Sequence, residues 1–301
     1  MFLMRRLLTP LIVLALISTN AAYAQNIDIG PASVEPIELS QAKKELRVVA
    51  LANGAAEVVA ALGFRATLIG RDIASTTPEL KGIPIVTSGH QVIAEKIVSL
   101  KPDLVIVDAS VGPASAVKVI QAAKIKIVKI DEAWNLTDIY RKVSQIGISL
   151  GEPTRATKLV KEMKASIAQA QIHLGWKPRI VFLYLRGPSS IYLMGGSGSG
   201  ADSLINSLGG IDVGAQISKR PFSTLTSESL VQANPDVILV MSKGLKSVGD
   251  IQGLLNLPGV AQTKAGKNKK VLSVDDSLLL SFGPRTPALL SKMADALKAL
   301  K

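Results

Sequence analysis

The sequence predicts an α/β protein made of two similar α/β lobes that are joined by one long, rigid helix. Three observations predict this architecture. Short apolar runs alternate with longer helical stretches, the same order of segments occurs twice along the chain, and one uninterrupted helical pattern lies between the two occurrences. Because strands that alternate with helices form parallel sheets covered by those helices, each occurrence is expected to fold as one lobe.

The first lobe is predicted from the alternation that begins at Leu46. Four short apolar runs are predicted strands: LRVVAL at 46–51, ATLIG at 66–70, DLVIVD at 103–108 and KIVKI at 126–130. The stretches between them are predicted helices: AEVVAALG at 56–63, AEKIVSL at 94–100 and ASAVKVIQAAK at 114–124. This amino-terminal lobe is expected to span residues 42–135.

The second lobe is predicted because the same segments return in the same order. GAAEVVAALG at 54–63 is matched by GADSLINSLG at 200–209, and AEKIVSLKPDLVIV at 94–107 is matched by SESLVQANPDVILV at 227–240. In the second pair a glutamate begins a helix, and seven residues later a proline ends it, since proline cannot continue a helix and favours extended backbone before it. The carboxy-terminal lobe is expected to span residues 176–301.

A helical region is predicted between the lobes, at residues 136–175. Its apolar spacing is helical, and no strand-like run interrupts Pro153 to Gln171. A helix of about 20 residues is roughly 30 Å long, so this segment is expected to act as a strut with little hinge motion. Two lobes on one strut leave a cleft between them, and such clefts commonly hold small ligands.

The first 24 residues have the pattern of a secretory signal peptide. Arg5 and Arg6 are followed by the apolar run LLTPLIVLALI and by small residues at Ala22 and Ala24. We therefore expect cleavage after about Ala24 and an exported mature chain, with residues 25–41 as an amino-terminal extension. The alternative, a retained membrane anchor, is disfavoured because the apolar run is shorter than the roughly 20 residues that span a bilayer.

Composition excludes several classes of function. The chain has no cysteine, which excludes disulfides and thiolate metal sites. Its net charge of +12 falls to +10 without the two signal-peptide arginines, but aromatic residues are few and the basic residues are dispersed. Nucleic acid is therefore not expected as a partner, and an anionic ligand or membrane face fits this charge better.

The mature chain resembles the substrate-binding proteins of ABC importers for cobalamin, siderophores and haem, and within them the periplasmic haem-binding branch. The resemblance rests on GRD at 70–72, GHQVIAEKIVSLKPDLV at 89–105, MSKGLKSVGD at 241–250, LLNLPGVAQTKAGKNKKVL at 254–272 and FGPRTP at 282–287. It implies a class III periplasmic binding protein that binds haem as a monomer and delivers it to an inner-membrane ABC permease dimer, in series with an outer-membrane haem receptor system. A ferric siderophore or cobalamin is the alternative ligand.

Two positions depart from the pattern of that family. Where relatives have an iron-ligating tyrosine after a glycine, this chain has His90, and where they have an arginine before Gly-Leu it has Lys243. Neutral imidazole ligates haem iron, and it needs no cation to lower its pKa as a phenol does. His90 is therefore the predicted metal ligand, whereas His173, the other histidine, lies at the end of the connecting helix, where the helix dipole favours a cation.

Five further residues are candidates for haem contacts: Arg71, Tyr192, Met194, Lys243 and Arg285. Arg71 follows a predicted strand, at the edge where α/β sheets bind ligands, and would pair with a propionate. An ion pair with Asp72 explains it equally well, and packing of the FGPRTP turn is the alternative for Arg285. Core packing is the alternative for Met194. The glycine-rich run after it lacks the Gly-Lys-Ser/Thr of a phosphate loop.

Glu95 and Glu228 hold equivalent places in the two lobes, each in the first turn of a predicted helix. The resemblance implies that such a pair docks on basic pockets of a two-fold permease, whereas compensation of the helix dipole is the alternative explanation. Enzymatic activity is not expected. The chain contains no Gly-x-Ser-x-Gly nucleophile elbow, and neither histidine has an acid and a nucleophile nearby in sequence.

Overall fold

A computed structural model describes residues 26–33, 46–89, 91–170 and 174–301 of the chain. The predicted signal peptide, His90 and His173 lie outside these residues. Among the helices that the structure describes, none combines the length and the apolar character needed to cross a bilayer.

The amino-terminal lobe contains a four-stranded parallel sheet in the order β3-β2-β6-β7. Its strands are β2 (Val48–Ala50), β3 (Leu68–Arg71), β6 (Leu104–Val107) and β7 (Lys126–Lys129). Three helices cover it: α1 (Ala55–Val59), α2 (Ala94–Ser99) and α3 (Ala114–Ala122). The central strands β2 and β6 are buried on both faces, as is usual in parallel sheets, which is why they are continuous apolar runs. The four predicted strands are confirmed.

A two-stranded antiparallel ribbon was not expected beside this sheet. Its strands, β4 (Thr87–Ser88) and β5 (Gln91–Val92), flank Gly89 and His90. Gly89 has φ +58° with no neighbouring atom near its absent Cβ, so the backbone conformation rather than space favours glycine there. Strand β5 separates His90 from α2, which begins at Ala94 as predicted.

Two helices connect the lobes: α4 (Leu136–Ser149) and α5 (Pro153–Ala170). The Asn135 side chain caps α4 by accepting a hydrogen bond from the Asp138 amide at 2.9 Å. Helix α5 buries one stripe of five residues at helical spacing: Ala156, Leu159, Met163, Ile167 and Ala170. The predicted strut is therefore present through Ala170, the last described residue of the segment.

The carboxy-terminal lobe contains a larger, mixed sheet of seven strands in the order β1-β13-β12-β8-β9-β11, with β10 also paired to β8. Its strands are β1 (Asn26–Ile29), β8 (Arg179–Arg186), β9 (Ile191–Gly195), β10 (Ile211–Asp212), β11 (Phe222–Thr224), β12 (Val237–Met241) and β13 (Val271–Val274). Strand β1 comes from the predicted amino-terminal extension and pairs in parallel with β13. The extension thus belongs to the sheet of the other lobe.

Eight helices are described in the carboxy-terminal lobe: α6 (Ala201–Ser207), α7 (Val213–Ile217), α8 (Ser227–Ala233), α9 (Ser242–Ser247), α10 (Asp250–Leu255), α11 (Lys264–Lys267), α12 (Asp276–Leu280) and α13 (Thr286–Ala299). Helix α13 packs along α5. One continuous apolar core runs from the amino-terminal sheet through α4 and α5 to β8, β13 and α13. The two lobes therefore share a core.

Candidate ligand-binding cleft

The two lobes meet at the carboxyl ends of their parallel strands. The loop after β2 contacts the segment after α12, where the Asn53 side chain donates to the Leu280 carbonyl at 2.8 Å. Gly54 has φ +72°, and a Cβ there would lie 2.4 Å from the Ser281 carbonyl oxygen, so only glycine permits this approach. These loops form the contact between the lobes, and we place the floor of the candidate ligand-binding cleft at this contact, next to the strand ends of both sheets.

Arg71 lies at the end of β3 and forms no ion pair with another residue that the structure describes. One of its guanidinium nitrogens, Nη1, donates to the carbonyls of Ser75 at 2.7 Å and Asp72 at 3.1 Å, while its buried Nε has no partner among the described residues. The Asp72 carboxylate instead accepts from the amides of Ala74 and Ser75, and burial raises its pKa. The expected alternative, an ion pair with Asp72, is wrong, and Arg71 remains available to an anion.

The amino-terminal wall next to Arg71 is apolar. Ile73 and Ile85 are 46% and 39% exposed, although both are large hydrophobic residues. The amide of Ile73 donates to Thr87 Oγ1 at 3.0 Å, which fixes the loop after β3 against the ribbon that flanks His90. This wall therefore combines exposed aliphatic surface with a cation.

The carboxy-terminal wall contains an aromatic cluster that sequence reasoning missed. Side chains at alternate positions of β8 share one face, which places Phe182, Tyr184 and Arg186 together. The Arg186 guanidinium lies 4.4 Å from the centroid of the Tyr184 ring, and the rings of Tyr184 and Phe222 are 5.7 Å apart, edge to face. Tyr184 and Phe222 pack against the core that both lobes share. The alternation in RIVFLYLR was the signal that could have identified this face.

Tyr192 and Met194 lie on the opposite face of the same sheet. Strand β9 pairs with β8 so that Tyr192 is opposite Leu185 and Met194 is opposite Leu183. Met194 is 1% exposed, and both residues pack in a separate core on the outer side of the sheet. Both side chains therefore face the outer core and not the face that carries Tyr184, which supports core packing for Met194 and leaves haem contact by Tyr192 a prediction.

The backbone amide of Lys243 and the guanidinium of Arg186 contact the same carboxylate, that of Asp276. Asp276 accepts the Lys243 amide at 2.9 Å and forms an ion pair with Arg186 at 3.5 Å. The Lys243 side chain is exposed and forms no ion pair within the described part of the chain. A guanidinium is therefore present near position 243, that of Arg186.

Arg285 is buried and engaged in packing. Its guanidinium is 2% exposed and binds both carboxylate oxygens of Glu57, at 2.6 and 2.9 Å. Burial raises the pKa of Glu57, and the ion pair opposes that shift. The candidate role of Arg285 in haem binding is corrected, because its donors are already satisfied across the lobe boundary.

The glycine-rich run after β9 offers no phosphate site. The Asp202 carboxylate accepts the amides of Gly198 at 2.8 Å and Gly200 at 3.1 Å. A separate depression of about 510 Å³ lies at the amino ends of β6 and β7, away from the cleft. It is lined by Val98, Lys101, Pro102, Asp103, Ala123, Lys124, Ile125 and Lys126.

Glu95 and Glu228 are exposed in the first turns of α2 and α8. Neither forms an ion pair with another described residue. The amino end of α8 is capped by Thr226, whose side chain accepts the Ser229 amide at 3.1 Å. Capping of α8 is thus done without Glu228.

The two lobes, their shared core and the candidate cleft between them are typical of one class of binding protein. Comparisons with known proteins agree with that class. Residues 48–278 match the family described as periplasmic binding protein, and the chain belongs to that family. It is a class III periplasmic binding protein, a substrate-binding component of an ABC transporter, and not an enzyme. Family membership also implies that the protein is exported.

The chain is similar to several particular proteins. The periplasmic heme-binding protein RhuT from Roseiflexus sp. RS-1, in its apo form, is 33% identical, with a TM-score of 0.81 over 85% of this chain and 98% of that one. The heme-binding protein HmuT is 30% identical, with a TM-score of 0.80 over 92% and 98%. An uncharacterised ABC transporter substrate-binding lipoprotein of Bacillus subtilis (strain 168), YvrC, is 26% identical over 91% of this chain and 87% of its own length.

Structures of HmuT variants are also among the similar ones, at 32% identity. In these variants a single histidine, arginine or tyrosine is replaced by alanine. The replaced tyrosine and arginine lie two positions apart in that chain, and the histidine precedes them by about a hundred positions.

Proposed function

We propose that this protein binds haem in the cleft between its lobes and delivers it to an inner-membrane ABC importer. The observation that carries the proposal is the pairing of Tyr184 with Arg186 on the face of β8 that packs toward the shared core. Across the cleft are Arg71 and the exposed Ile73 and Ile85, next to the ribbon around His90. A flat apolar ligand with anionic groups matches these two walls.

The iron would be held from both sides. His90 would supply a neutral imidazole from the first lobe, and Tyr184 a phenolate from the second. The Arg186 guanidinium stacks on the Tyr184 ring, and the role we assign to it is to hold that ring in position and to supply positive charge beside an anionic oxygen ligand. The order and approximate spacing of His90, Tyr184 and Arg186 match those of the residues replaced in the HmuT variants, which supports the assignment.

The haem carboxylates would be bound by Arg71 and Lys243. Arg71 is not neutralised by Asp72, and Lys243 projects from the first turn of α9 next to Arg186. A guanidinium can bind a propionate through two hydrogen bonds, whereas an ammonium acts as a point charge. We therefore expect Arg71 to contribute more to orientation than Lys243.

Titration of the purified protein with hemin tests the proposal. A new Soret band that saturates at a fixed ratio of hemin to protein is expected, and His90→Ala should lose most of the affinity. Binding to the histidine should weaken as pH falls through about 6.5, because the proton and the iron compete for one nitrogen. Absence of any spectral change with wild-type protein would reject haem and leave a ferric siderophore or cobalamin as the ligand.

Delivery is proposed to use Glu95 and Glu228. They are exposed, carry no ion pair with other described residues, and occupy matching helices of the two lobes. The double variant Glu95→Lys with Glu228→Lys should abolish uptake while hemin affinity stays unchanged. Exposed Glu162 and Asp295, reversed together, provide a control with the same change of charge. Uptake that survives reversal of Glu95 and Glu228 would reduce them to helix-dipole partners.

A further inference from the structure

A buried cluster of charged side chains lies at the cleft floor, where the two lobes touch. It consists of Glu57 from α1, Lys142 from α4 and Arg285 from the turn before α13. Glu57 is 5% exposed, and Lys142 and Arg285 are 2% exposed each. The cluster therefore joins the first lobe, the connecting region and the second lobe within the protein interior.

Lys142 contacts both lobes through one ammonium group. Its Nζ donates to the carbonyls of Asn53 at 2.8 Å, Ser281 at 3.0 Å and Phe282 at 3.0 Å. An ammonium has three N–H donors, and here each of them has one acceptor. Asn53 belongs to the loop after β2 in the first lobe, and Ser281 and Phe282 belong to the segment after α12 in the second.

The other two charged residues, Glu57 and Arg285, also connect the two lobes. The guanidinium of Arg285, in the second lobe, donates to both carboxylate oxygens of Glu57, in the first lobe. Its Nη2 also donates to Ser277 Oγ at 3.2 Å. Beside them the backbone of Gly54 approaches Ser281. A change in the angle between the lobes would break these contacts together.

Stability alone gives a weak reason for burying such charges. Removing an ammonium from water is costly, and buried ion pairs are often no more stable than apolar replacements. The geometry offers a different reason, since three directional bonds to two loops fix the relative position of those loops. Both loops adjoin strand ends that flank the cleft.

We propose that Lys142 is a positioning residue that fixes the separation of the two lobes, and with it the width of the ligand cleft. The link to ligand binding rests on the proposed function. The positioning role itself is a property of the protein without ligand. It acts through backbone carbonyls of the cleft floor and not through contact with the ligand.

The test measures the distance between the lobes in ligand-free protein. Because the chain has no cysteine, spin labels attach only at introduced sites, and exposed Lys96 in α2 and Gln232 in α8 are suitable for Lys96→Cys and Gln232→Cys. In this background Lys142→Met should shift or broaden the inter-label distance distribution by about 2 Å or more, the scale of domain rearrangements. Lys161→Met, an exposed position on α5, is the matched control and should leave the distribution unchanged.

A folded Lys142→Met variant with an unchanged distribution would overturn the proposal. If that variant fails to fold, the wild-type protein provides the same comparison at high pH, since burial lowers the pKa of Lys142 to about 8. Asp108, Glu57, Asp138 and Glu132 oppose that shift, and Arg285 is the neighbouring cation. A neutral amine has two donors for three carbonyls, so the distribution should broaden between pH 7 and 9.5, and constancy over that range would overturn the proposal. Both measurements are made without hemin, so their outcome does not depend on whether the protein binds haem.

Discussion

At the scale of single residues, Arg186 and Tyr184 define the chemistry available on the second lobe. The guanidinium stacks on the phenol ring and is held by the Leu185 carbonyl at 2.8 Å and by Asp276. These three contacts orient the guanidinium, and Asp276 also accepts a hydrogen bond from the Lys243 amide. The phenol therefore sits beside a fixed positive charge.

Replacement of these two residues should separate iron ligation by Tyr184 from the effect of Arg186 on that ligand. Tyr184→Phe should remove the charge-transfer features of phenolate ligation from the visible spectrum of the hemin complex. Arg186→Lys should retain those features but weaken hemin binding, because an ammonium cannot stack on the Tyr184 ring as the planar guanidinium does. Tyr192→Phe, on the outer face, is the control, and a spectrum altered by Tyr192→Phe alone would contradict the assignment.

Lys142 makes a second prediction at this scale, on stability against pH. Burial lowers its pKa from 10.5 to about 8, so between these values the unfolded chain retains a proton that the folded protein has lost. The free energy of unfolding contributed by this group therefore rises with pH across that window. In chemical denaturation, the difference between wild type and Lys142→Met should become more favourable to wild type from pH 8 to 10. A difference that is constant over this range would contradict a lowered pKa.

Deprotonation of Lys142 thus has two opposite effects. It relieves the energetic cost of burying a charge, and it removes one of the hydrogen bonds that hold the loops. A residue retained only for stability would not lose a structural hydrogen bond in the same step that relieves the cost of burying its charge. The combination is therefore consistent with a positioning role.

At the scale of elements, the sequence predicts the strands of the first lobe well and the edges of the second poorly. Strands β2 and β6 are apolar on both faces, so VVA and LVIV are recognisable without knowledge of their neighbours. Strand β9 has apolar side chains on both faces, so its sequence could not show that Tyr192 and Met194 face the outer core. Strand β1 is four residues long, and its partner β13 lies at the far end of the chain.

A mutation in β1 should therefore destabilise the protein although the residue precedes the first predicted lobe. Ile29 is 5% exposed and packs in the shared core. Ile29→Ala should lower the free energy of unfolding by about 2 kcal/mol, the lower end for large-to-small core substitutions, since the strand is at an edge. Exposed Asn26→Ala should change it little, and equal effects of the two substitutions in chemical denaturation would contradict the pairing of β1.

At the scale of the whole molecule, the shared core and the polar floor contacts join the lobes more firmly than the strut alone. Helix α5 packs along α13 of the second lobe and along α4, while α4 packs on α1 of the first. The strut was recognised from the apolar spacing after Pro153. The floor contacts of Glu57, Lys142 and Arg285 were not, because each pairs residues far apart in sequence with no local pattern.

This rigidity predicts little change of shape on binding. Small-angle scattering curves of the ligand-free and hemin-bound protein should nearly superimpose, with the same radius of gyration within error. A large compaction on binding would indicate hinge closure and would contradict both the strut and the floor contacts.

The pairing of β1 with β13 also constrains the order in which the chain acquires its structure. Asn26 pairs with Val271, so an edge strand of the second sheet comes from the beginning of the chain and its partner from near the end. During synthesis, β1 therefore does not pair with β13 until a segment far later in the chain has emerged. Contacts this distant in sequence slow folding, since the loop between them must be closed before the contact forms. This edge of the carboxy-terminal sheet thus waits for β13, although β1 is synthesised long before the other strands of that sheet.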